Sequence, residues 1–355
     1  MSIVQAPQLQ HLDPLSIIDT TEIDTVLGHA LTFDRPTFGQ LVQRAVTGQL
    51  DLSPSGIITG TLRHVFAEIL AHIDLMQQLI FIAVLAALLK ILTESFQTKS
   101  AGELGFYVCY ITLVIIIFSS FRLALIIASD MIQNVTELIR VSIPVVISLV
   151  LMSGNIAGAY AYNGLLLFAI NIINTLIIAI VMPLISFVAT IQVVNYLTEN
   201  EILKNMSDLI HKITSWGTKS LAIGFISLLA LQRISAPIIN NLAIRGARVT
   251  INAVPVVGGV LSGAVDSVLY FASATKSGVI VAVIISIVYL CIIPVAKLIS
   301  LMFIYKFVAA IIQPICDKRI VKCINTIGNY CSLLLGIAVM VTVMFSVGLI
   351  MLVTF

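Results

Sequence analysis

The chain has 355 residues, of which 59% are hydrophobic and only 10% are charged, and its mean hydropathy is +1.10. A soluble globular domain is roughly 45–50% apolar and about 25% charged. This chain has too little polar surface to cover a water-exposed globule, which excludes a cytosolic enzyme, a disordered scaffold and a disulfide-rich secreted domain. The composition predicts an all-α fold, that of a polytopic helical membrane protein.

The formal net charge of +2 is the sum of two unlike regions. Residues 1–75 hold three basic and eight acidic side chains, a net charge of −5, whereas the remainder holds sixteen basic and nine acidic ones, a net charge of +7. Cytoplasmic loops of membrane proteins are enriched in basic residues. We therefore expect residues 1–74 to form a small, acidic, mostly helical head on the extracytoplasmic side, followed by a multi-pass transmembrane domain at residues 75–355.

The head is expected to end in an amphipathic helix over residues 54–74. Ser53-Pro54 is typical of an N-cap followed by proline at the first helical position. His64, Glu68 and His72 follow at intervals of four residues, a spacing that can hold a metal ion or form a solvated polar face. We interpret them as a solvated face, and we expect no metal and no other cofactor.

Apolar stretches at residues 75–93 and 104–128 predict two spans joined by a short turn. Around the end of the second span, Arg122, Asp130, Glu137 and Arg140 form a set of ionisable residues. We interpret these four as interfacial anchors and ion pairs rather than as a conduction path.

Residues 138–153 are too short to span comfortably and contain Pro144, so a half-span or re-entrant segment fits as well as a full helix. Residues 164–194 run without a charge and are interrupted only by Pro183. The length of this second stretch predicts a helix that is tilted, kinked or broken at the proline.

Residues 197–215 place apolar side chains on one face and charged ones on the other, which predicts an amphipathic helix in the membrane interface. Trp216, the single tryptophan, follows as an interfacial anchor. A span at about 219–243 comes next, then a glycine-rich segment at 251–273 and an apolar stretch at 278–312.

Pro294 divides the 278–312 stretch, which therefore fits two passes hinged at the proline, and a last span begins near residue 328. The total is seven or eight transmembrane segments. If the head is outside and residues 138–153 do not cross, the basic loops around Lys204–Lys219 and Asp317–Lys322 both face the cytoplasm, in agreement with the positive-inside rule.

The sequence contains no P-loop, HExxH or GxSxG motif, so we expect no enzymatic activity. The most informative feature is a group of residues embedded in apolar sequence that combines a helix breaker, small residues and a carboxylate. A charge at membrane depth persists only where it is paired or hydrated. The group consists of Pro255, Gly258, Gly259, Gly263 and Asp266.

Two interpretations of this group stay open. Gly259 and Gly263 have the spacing that lets two helix backbones approach closely, and Pro255 can break the helix, which is tolerated against protein or a water-filled cavity. The group therefore lines a conduit or ligand site, or it forms a tight helix crossing with a satisfied carboxylate. The candidate partners of Asp266 are the basic residues nearest in sequence: Arg245, Arg248 and Lys276.

Four segments of the chain, taken together and in order, resemble the stage III sporulation protein AE family. The resemblance extends over most of residues 50–355. The segments are Phe66-Ala67-Glu68-Ile69-Leu70, Phe106-Tyr107-Val108-Cys109-Tyr110, Val254-Pro255-Val256-Val257-Gly258-Gly259 with Ala264-Val265-Asp266, and Pro314-Ile315-Cys316-Asp317-Lys318-Arg319-Ile320-Val321.

The resemblance implies a multi-pass protein of the mother-cell membrane that surrounds the engulfed forespore of an endospore-forming bacterium. It implies a non-enzymatic component that forms or scaffolds a conduit in a transenvelope channel, or feeding-tube, complex. The implied partners are other membrane proteins of the same sporulation operon and a forespore-membrane protein, within a lipid bilayer. Self-association into a homo-oligomer is left open, and no nucleic-acid partner is expected. The alternative is a stand-alone permease for a small solute, favoured by the interruptions at Pro183, Pro255 and Pro294.

Overall fold

The structure, a computed structural model, describes residues 20–30, 37–47, 54–95, 99–152, 156–196, 204–252 and 258–353. Side chains are described for most of these residues, apart mainly from 54–61, 92–103, 156–163 and 231–276. All regular elements in this described part are helical, so the predicted all-α fold is confirmed. The helices are α1 (Thr21–Ala30), α2 (Phe38–Thr47), α3 (Pro54–Ala71), α4 (Ile73–Ser95), α5 (Lys99–Met152), α6 (Ile156–Leu176), α7 (Met182–Asn195), α8 (Lys204–Asn252), α9 (Gly258–Ile312) and α10 (Lys318–Val353), with a π-helical turn (Ile177–Val181) between α6 and α7.

Among the described residues, six helical segments are long and apolar enough to cross a membrane. They contribute, with α1 and α2, to one hydrophobic core. The class of polytopic helical membrane protein is therefore confirmed, and the number of segments in the described part is close to the seven or eight predicted for the whole chain. The six segments are Ile73–Ile91, Leu104–Leu151, Gly164–Asn195, Asp208–Ala230, Ser277–Ile312 and Lys318–Met351.

Two prolines lie inside continuous helices, although we expected one in a short segment and the other at a hinge. α5 runs through Pro144, so residues 138–153 continue the helix that begins at Lys99 and form no separate half-span. α9 runs through Pro294, so residues 278–312 are one helix and not two hinged passes. Proline is tolerated in membrane helices because neighbouring helices and local adjustments satisfy the backbone groups that it frees.

Pro183, in contrast, interrupts its helix as predicted. The π-helical turn at Ile177–Val181 lies directly before it, and the amide of Met182 donates to the carbonyl oxygen of Ile177, five residues back. Proline has no amide hydrogen, and its ring crowds the carbonyl four residues earlier. The wider π-helical turn makes room for that ring at the start of α7.

The predicted interfacial helix becomes the start of α8. Residues 204–215 belong to α8, which continues to Asn252, and residues 197–203 lie outside the described residues. Leu209 and Ile213 are exposed, whereas Thr214 and Thr218 are buried. α8 therefore turns a hydroxyl-bearing side toward the bundle, and its exposed surface carries both these apolar side chains and the charges of Asp208 and Lys212, as an amphipathic helix does.

α9 and α10 form an antiparallel hairpin, and α5 lies antiparallel to α9. The Tyr305 hydroxyl of α9 donates to the carbonyl oxygen of Ile117 at 3.3 Å and also meets the Ser120 hydroxyl, both on α5. On the opposite side of α9, a Cβ added to Gly328 of α10 would lie 3.2 Å from the Cβ of Tyr305. Ile117, Tyr305 and Gly328 therefore lie at about the same height along the bundle axis.

α8 runs parallel to α10 along the outside of the bundle. The His211 ring lies 5.9 Å from the Tyr330 ring, and the Phe225 ring lies 5.9 Å from the Phe345 ring. From the first contact to the second, the residue number rises on both helices, so the two helices run in the same direction. Because α5 is also parallel to α10, heights along α5, α8 and α10 can be compared directly.

The described part of the head packs against the helices of the transmembrane domain. Val46 at the end of α2 touches Gly278 of α9, and Phe38 and Leu41 are buried in the shared core. Gly278 and Ile312 are 34 positions apart on one continuous helix, which is roughly 51 Å at about 1.5 Å per residue. This distance exceeds the ~30 Å of a bilayer core, so α2 and the α9–α10 loop lie at opposite ends of the bundle.

Side chains fix where α2 begins. The Thr37 amide donates to Gln40 Oε1 at 3.2 Å, and the Gln40 amide donates to Thr37 Oγ1 at 3.4 Å, which is a capping box. Asp24 Oδ1 of α1 accepts from the Phe38 amide at 2.8 Å. These bonds satisfy amides that have no partner inside the helix and tie α1 to α2.

Candidate functional site at the basic end of the bundle

The loop between α9 and α10 carries a buried carboxylate. The Asp317 side chain is 8% exposed and accepts hydrogen bonds from Lys90 Nζ at 2.6 Å, from the Arg319 amide at 2.8 Å and from Arg319 Nε at 3.3 Å. Burial alone would raise the pKa of Asp317, but the hydrogen bonds from Lys90 and Arg319 outweigh burial and lower that pKa to about 2. Asp317 is therefore held as a carboxylate between α4 and α10.

Aromatic rings lie under the neighbouring cations. The Arg319 guanidinium is 4.9 Å from the centre of the Phe106 ring on α5, and Lys322 Nζ is 5.9 Å from the centre of the Tyr196 ring, just after α7. Cations are attracted to ring faces at such distances. The Tyr196 hydroxyl also meets the Thr326 hydroxyl at 3.1 Å. The starts of α5 and α10 and the end of α7 are thus joined at this end, which we call the basic end.

Two of the segments that carry the family resemblance meet at the basic end. Arg319, in the 314–321 segment, contacts Phe106, in the 106–110 segment. Tyr110, in the same segment, is buried and donates from its hydroxyl to the carbonyl oxygen of Val193 at 3.0 Å. The 106–110 segment therefore contacts α10 through the Arg319–Phe106 pair and α7 through the hydrogen bond of Tyr110.

A polar cleft opens beside the basic end, between α7, α8 and α10. It consists of two adjoining cavities, of about 400 and 280 Å³, which share His211 and Asn329. Lys306 Nζ of α9 donates to Asn329 Oδ1 at 2.9 Å, so α9 also contributes a cation to the cleft's edge. The larger cavity is polar at one end and apolar at the other; its lining includes His211, Ser215, Lys219, Asn329 and Ser332, then Gly336, Ile337 and Met340.

The side chains of the polar cleft can be solvated by water or can contact a polar surface of another molecule. The cleft lies along three of the six apolar segments, where polar side chains are tolerated when they meet water or another polar surface. In the described part of the chain, no group of three His, Cys, Asp or Glu side chains is placed to hold a metal ion. The cleft can therefore admit water and small polar solutes, or receive polar groups of a neighbouring protein.

The site predicted from sequence falls on a part of the chain with few described side chains. Pro255 lies outside the described residues. Gly258, Gly259, Gly263 and Asp266 are in the first turns of α9, Lys276 follows on the same helix, and Arg245 and Arg248 are near the end of α8; their side chains are not described. The pairing of Asp266 with Arg245, Arg248 or Lys276 stays a prediction.

Two other predicted features can be located. Trp216 is 73% exposed on α8, an orientation that an interfacial anchor requires, although its place in the interface stays a prediction. His72 Nε2 lies 3.8 Å from Glu68 Oε2 across the junction of α3 and α4.

The Asp317 cluster was not predicted from the sequence. Lys90 and Asp317 are separated by 227 positions, and we expected Lys90 only to extend toward the membrane interface. One signal was available, since Asp317 lies in a family-like segment between a cysteine and two basic residues. No spacing rule, however, links that segment to α4.

The fold and these contacts define a polytopic helical membrane protein whose basic end is organised around a buried carboxylate. Residues 37–355 match the model of the family "Stage III sporulation protein AE", and the chain belongs to that family. It is also similar to the stage III sporulation protein AE of Bacillus subtilis (strain 168), with 27% identity over 310 residues, which is 87% of this chain and 78% of the relative. No solved structure matches the chain. The predicted family resemblance is confirmed.

Proposed function

We propose that this protein is a non-enzymatic membrane component of the channel complex that connects the mother cell with the forespore. The observation that carries the proposal is the family match over residues 37–355, on a chain with six apolar helical segments in its described part. The proposed location is the mother-cell membrane around the forespore. The proposed partners are the other membrane proteins of the same operon and a protein of the forespore membrane.

The two ends of the bundle support a role in an assembly that crosses an envelope. The α2 part of the head and the basic end are separated by more than a bilayer core, so each faces a different compartment when α9 crosses the membrane. In the proposed topology, α1 and α2 lie between the two membranes, where partner proteins are within reach. The loop with Asp317 then lies on the mother-cell side.

The polar cleft supports a role in forming or scaffolding a conduit. Its larger cavity extends from His211 and Asn329 to Met340, about 16 Å along α10. The polar groups at one end of this cavity, Asn329 and Ser332 of α10 with His211, Ser215 and Lys219 of α8, provide a surface that water or a polar partner can occupy. The cleft therefore supplies one wall of the proposed conduit or a seat for the protein that completes it.

Deletion of the gene in its own host tests the sporulation role. We expect spores to stop developing after engulfment, with loss of a reporter driven by the late forespore sigma factor and loss of heat-resistant spores. Re-expression of the wild-type chain should restore both. Normal reporter activity and spore yield in the deletion strain would contradict the proposal.

The polar cleft can be tested in the same strain. Ser332→Phe fills the larger cavity, whereas Val339→Phe enlarges an outward side chain that is 39% exposed on the same helix. We expect the first variant to reduce reporter activity and the second to support wild-type levels, at equal amounts of protein. Equal reporter activity of both variants would show that the cleft is not part of the proposed conduit.

The volume and polarity of the cleft also suit a permease that acts alone. Purified protein in liposomes distinguishes the two functions. Uptake of small polar solutes by the chain without partners favours the permease, whereas co-purification with the other operon products and no uptake favours the channel component.

A further inference from the structure

The larger cavity of the polar cleft lies between one face of α8 and one face of α10. His211, Ser215 and Lys219 follow one another at one-turn intervals on α8, so they line the same side of that helix. On α10, Asn329 and Ser332 come first, and apolar residues line the rest of the wall. The α10 wall therefore changes from polar to apolar with distance from the basic end. Its apolar residues are Leu333, Gly336, Ile337 and Met340.

The polar end of this cavity offers chiefly hydrogen-bond donors. The Lys219 ammonium group can only donate, and the Ser215 and Ser332 hydroxyls can each donate as well. Asn329 Oδ1 accepts from Lys306 Nζ at 2.9 Å, so the NH₂ group of the Asn329 side chain remains as a further donor. A set of donors that includes a cation matches an oxygen anion, which accepts hydrogen bonds and donates none.

The charges around the larger cavity are positive. For Lys219, no ion pair or hydrogen bond to another described residue is found, and Lys306 adds a second cation at the cleft's edge. Asp208 lines only the smaller cavity, and the larger one has no carboxylate among its described lining residues. A cation on an apolar segment needs an anion or water as its neighbour. The larger cavity therefore favours an anionic group.

The ring contacts between α8 and α10 align the two walls of the cavity. His211 meets Tyr330 and Phe225 meets Phe345, so a residue of α8 is level with the residue of α10 whose number is higher by about 120. Ser215 is therefore almost level with Ser332, and Lys219 lies about 10 Å further from the basic end. Because helical side chains lean toward the start of their helix, the Lys219 ammonium group approaches the two serines.

The apolar end of the cavity continues into an exposed apolar surface. A Cβ built on Gly336 would have no atom within 4 Å, so open space lies beside this glycine. Further along the same two helices, Val339 and Val343 of α10 and Ile223 of α8 are exposed. A hydrocarbon chain that starts in the cavity can leave it along these side chains without passing a charged group.

We propose that the larger cavity binds one phospholipid, with the phosphate group at Lys219, Ser215 and Ser332 and an acyl chain over Gly336 and Ile337. Basic pockets between membrane helices bind the head groups of anionic lipids, and a cavity of about 400 Å³ has the size of a small-molecule site. The phosphate uses the donors, and the chain uses the apolar wall. The site goes beyond the channel proposal and does not depend on it.

The smaller cavity accommodates the rest of the head group. It adjoins the larger one at His211 and Asn329, and its lining includes Gln192, Tyr196 and Asp208. The Asp208 carboxylate repels a phosphate but accepts a hydrogen bond from a hydroxyl or an ammonium group. The two cavities thus fit the two parts of one head group, with the phosphate toward the acyl chain.

Lipid binding to the full-length protein in detergent tests the polar end. Native mass spectrometry with added phosphatidylglycerol measures how many lipids bind and how tightly. The wild type should bind a first lipid at least fivefold more tightly than later ones. Lys219→Gln should remove this advantage, because hydrogen bonds from a charged donor are the stronger ones. Lys212→Gln changes an exposed lysine of α8 that does not line the cavity, and it should bind like the wild type.

Gly336→Val tests the apolar end. The substitution fills the open space beside α10 without touching another residue, so the variant should fold and yet bind the first lipid about fivefold more weakly. Val339→Leu enlarges an outward side chain on the same helix and should leave binding unchanged. First-lipid binding of wild-type strength in both Lys219→Gln and Gly336→Val would overturn the proposal.

Two partial ligands distinguish a lipid from a free anion. Glycerol phosphate carries the phosphate without chains, and diacylglycerol carries the chains without phosphate. Each should bind at least tenfold more weakly than phosphatidylglycerol, because each fills one end of the cavity. Glycerol phosphate that binds as tightly as the lipid would overturn the proposal in favour of a soluble anion, and diacylglycerol that does so would exclude a phosphate site. Neither result bears on the sporulation reporter, which tests the channel proposal separately.

Discussion

Asp317 lies in the loop between two apolar helices and Asp130 lies on a third, α5, and the surroundings of these two carboxylates differ. Asp317 is 8% exposed and is held by Lys90 and Arg319, which come from two separate helices. Asp130 is exposed on the outward face of α5, with no ion pair to another described residue. The first carboxylate joins elements of one bundle, whereas the second is available to another molecule.

The few charges of this apolar chain therefore have two different roles. A charge satisfied inside the bundle contributes to the stability of the fold, and its removal leaves partners that must be resolvated. A charge on the outer face contributes little to the isolated bundle but determines what can pack against it. Stability and association measurements should therefore respond to different residues.

The largest expected effect on stability comes from Asp317→Asn. The substitution removes the charged acceptor of Lys90 Nζ and of the Arg319 side chain, and we expect a loss of about 2–3 kcal/mol in the free energy of unfolding. Thermal unfolding in detergent, followed by circular dichroism, measures the loss. Asp130→Asn is the matched control and should stay within about 0.5 kcal/mol of the wild type. A comparable loss in both variants would remove the distinction between the two carboxylates.

Acid should produce part of the same loss without a mutation. Because the pKa of Asp317 is about 2 in the fold and 3.8 ordinarily, the unfolded state binds its proton first as the pH falls. The stabilisation, about 2 kcal/mol, is fully present above about pH 4 and decreases as the pH falls toward 2. Unfolding curves recorded across this range should show wild type and Asp317→Asn converging at low pH. A constant difference between them would assign the effect of the mutation to a cause other than the carboxylate's charge.

Two glycines on α10 extend the comparison from charge to packing. A Cβ at Gly328 would lie 3.2 Å from the Cβ of Tyr305 and from the Cγ of Lys306, whereas a Cβ at Gly336 would have no atom within 4 Å. We expect Gly328→Val to cost about 1–2 kcal/mol, because α9 and α10 must move apart. Gly336→Val should change stability by less than about 0.5 kcal/mol. Equal thermal shifts would show that the hairpin is not closely packed at residue 328.

The smallest expected effect is that of Tyr196→Phe. The change removes a hydroxyl that meets Thr326 at 3.1 Å and keeps the ring beneath Lys322, so the expected loss is about 1 kcal/mol. Tyr107→Phe serves as the control, since Tyr107 is 41% exposed on the outer side of α5. Differential scanning fluorimetry of both variants in one detergent resolves a shift of this size. A larger effect at Tyr107 would mean that the outer side of α5 is covered in the isolated chain.

Local patterns in the sequence predicted the helical class and the approximate positions of the spans. They did so because hydrophobic length is a local property, which a window of about 20 residues contains completely. The interruption at Pro183 was also predicted. The continuity of α5 through Pro144 and of α9 through Pro294 was not, because the packing that accommodates each proline comes from other helices.

The candidate functional site depends even more than the fold on contacts between residues far apart in the sequence, so less of it could be predicted. Lys90 pairs with a residue 227 positions away, and the polar cleft combines side chains of α7, α8 and α10. Neither arrangement leaves a periodic signal in the sequence. The ionisable set on α5 was visible, but only the fold shows that Glu137 and Arg140 pair with each other while Arg122 faces outward.

The uninterrupted course of α9 has a mechanical consequence. Near its described start, α9 contacts Val46 of α2 at Gly278. Its last turn leads into the loop that holds Asp317. Pro294 lies on this path, and proline is a usual position for a kink in a long helix. A displacement of α2 is therefore passed along one continuous helix, through Pro294, to the loop that holds Asp317.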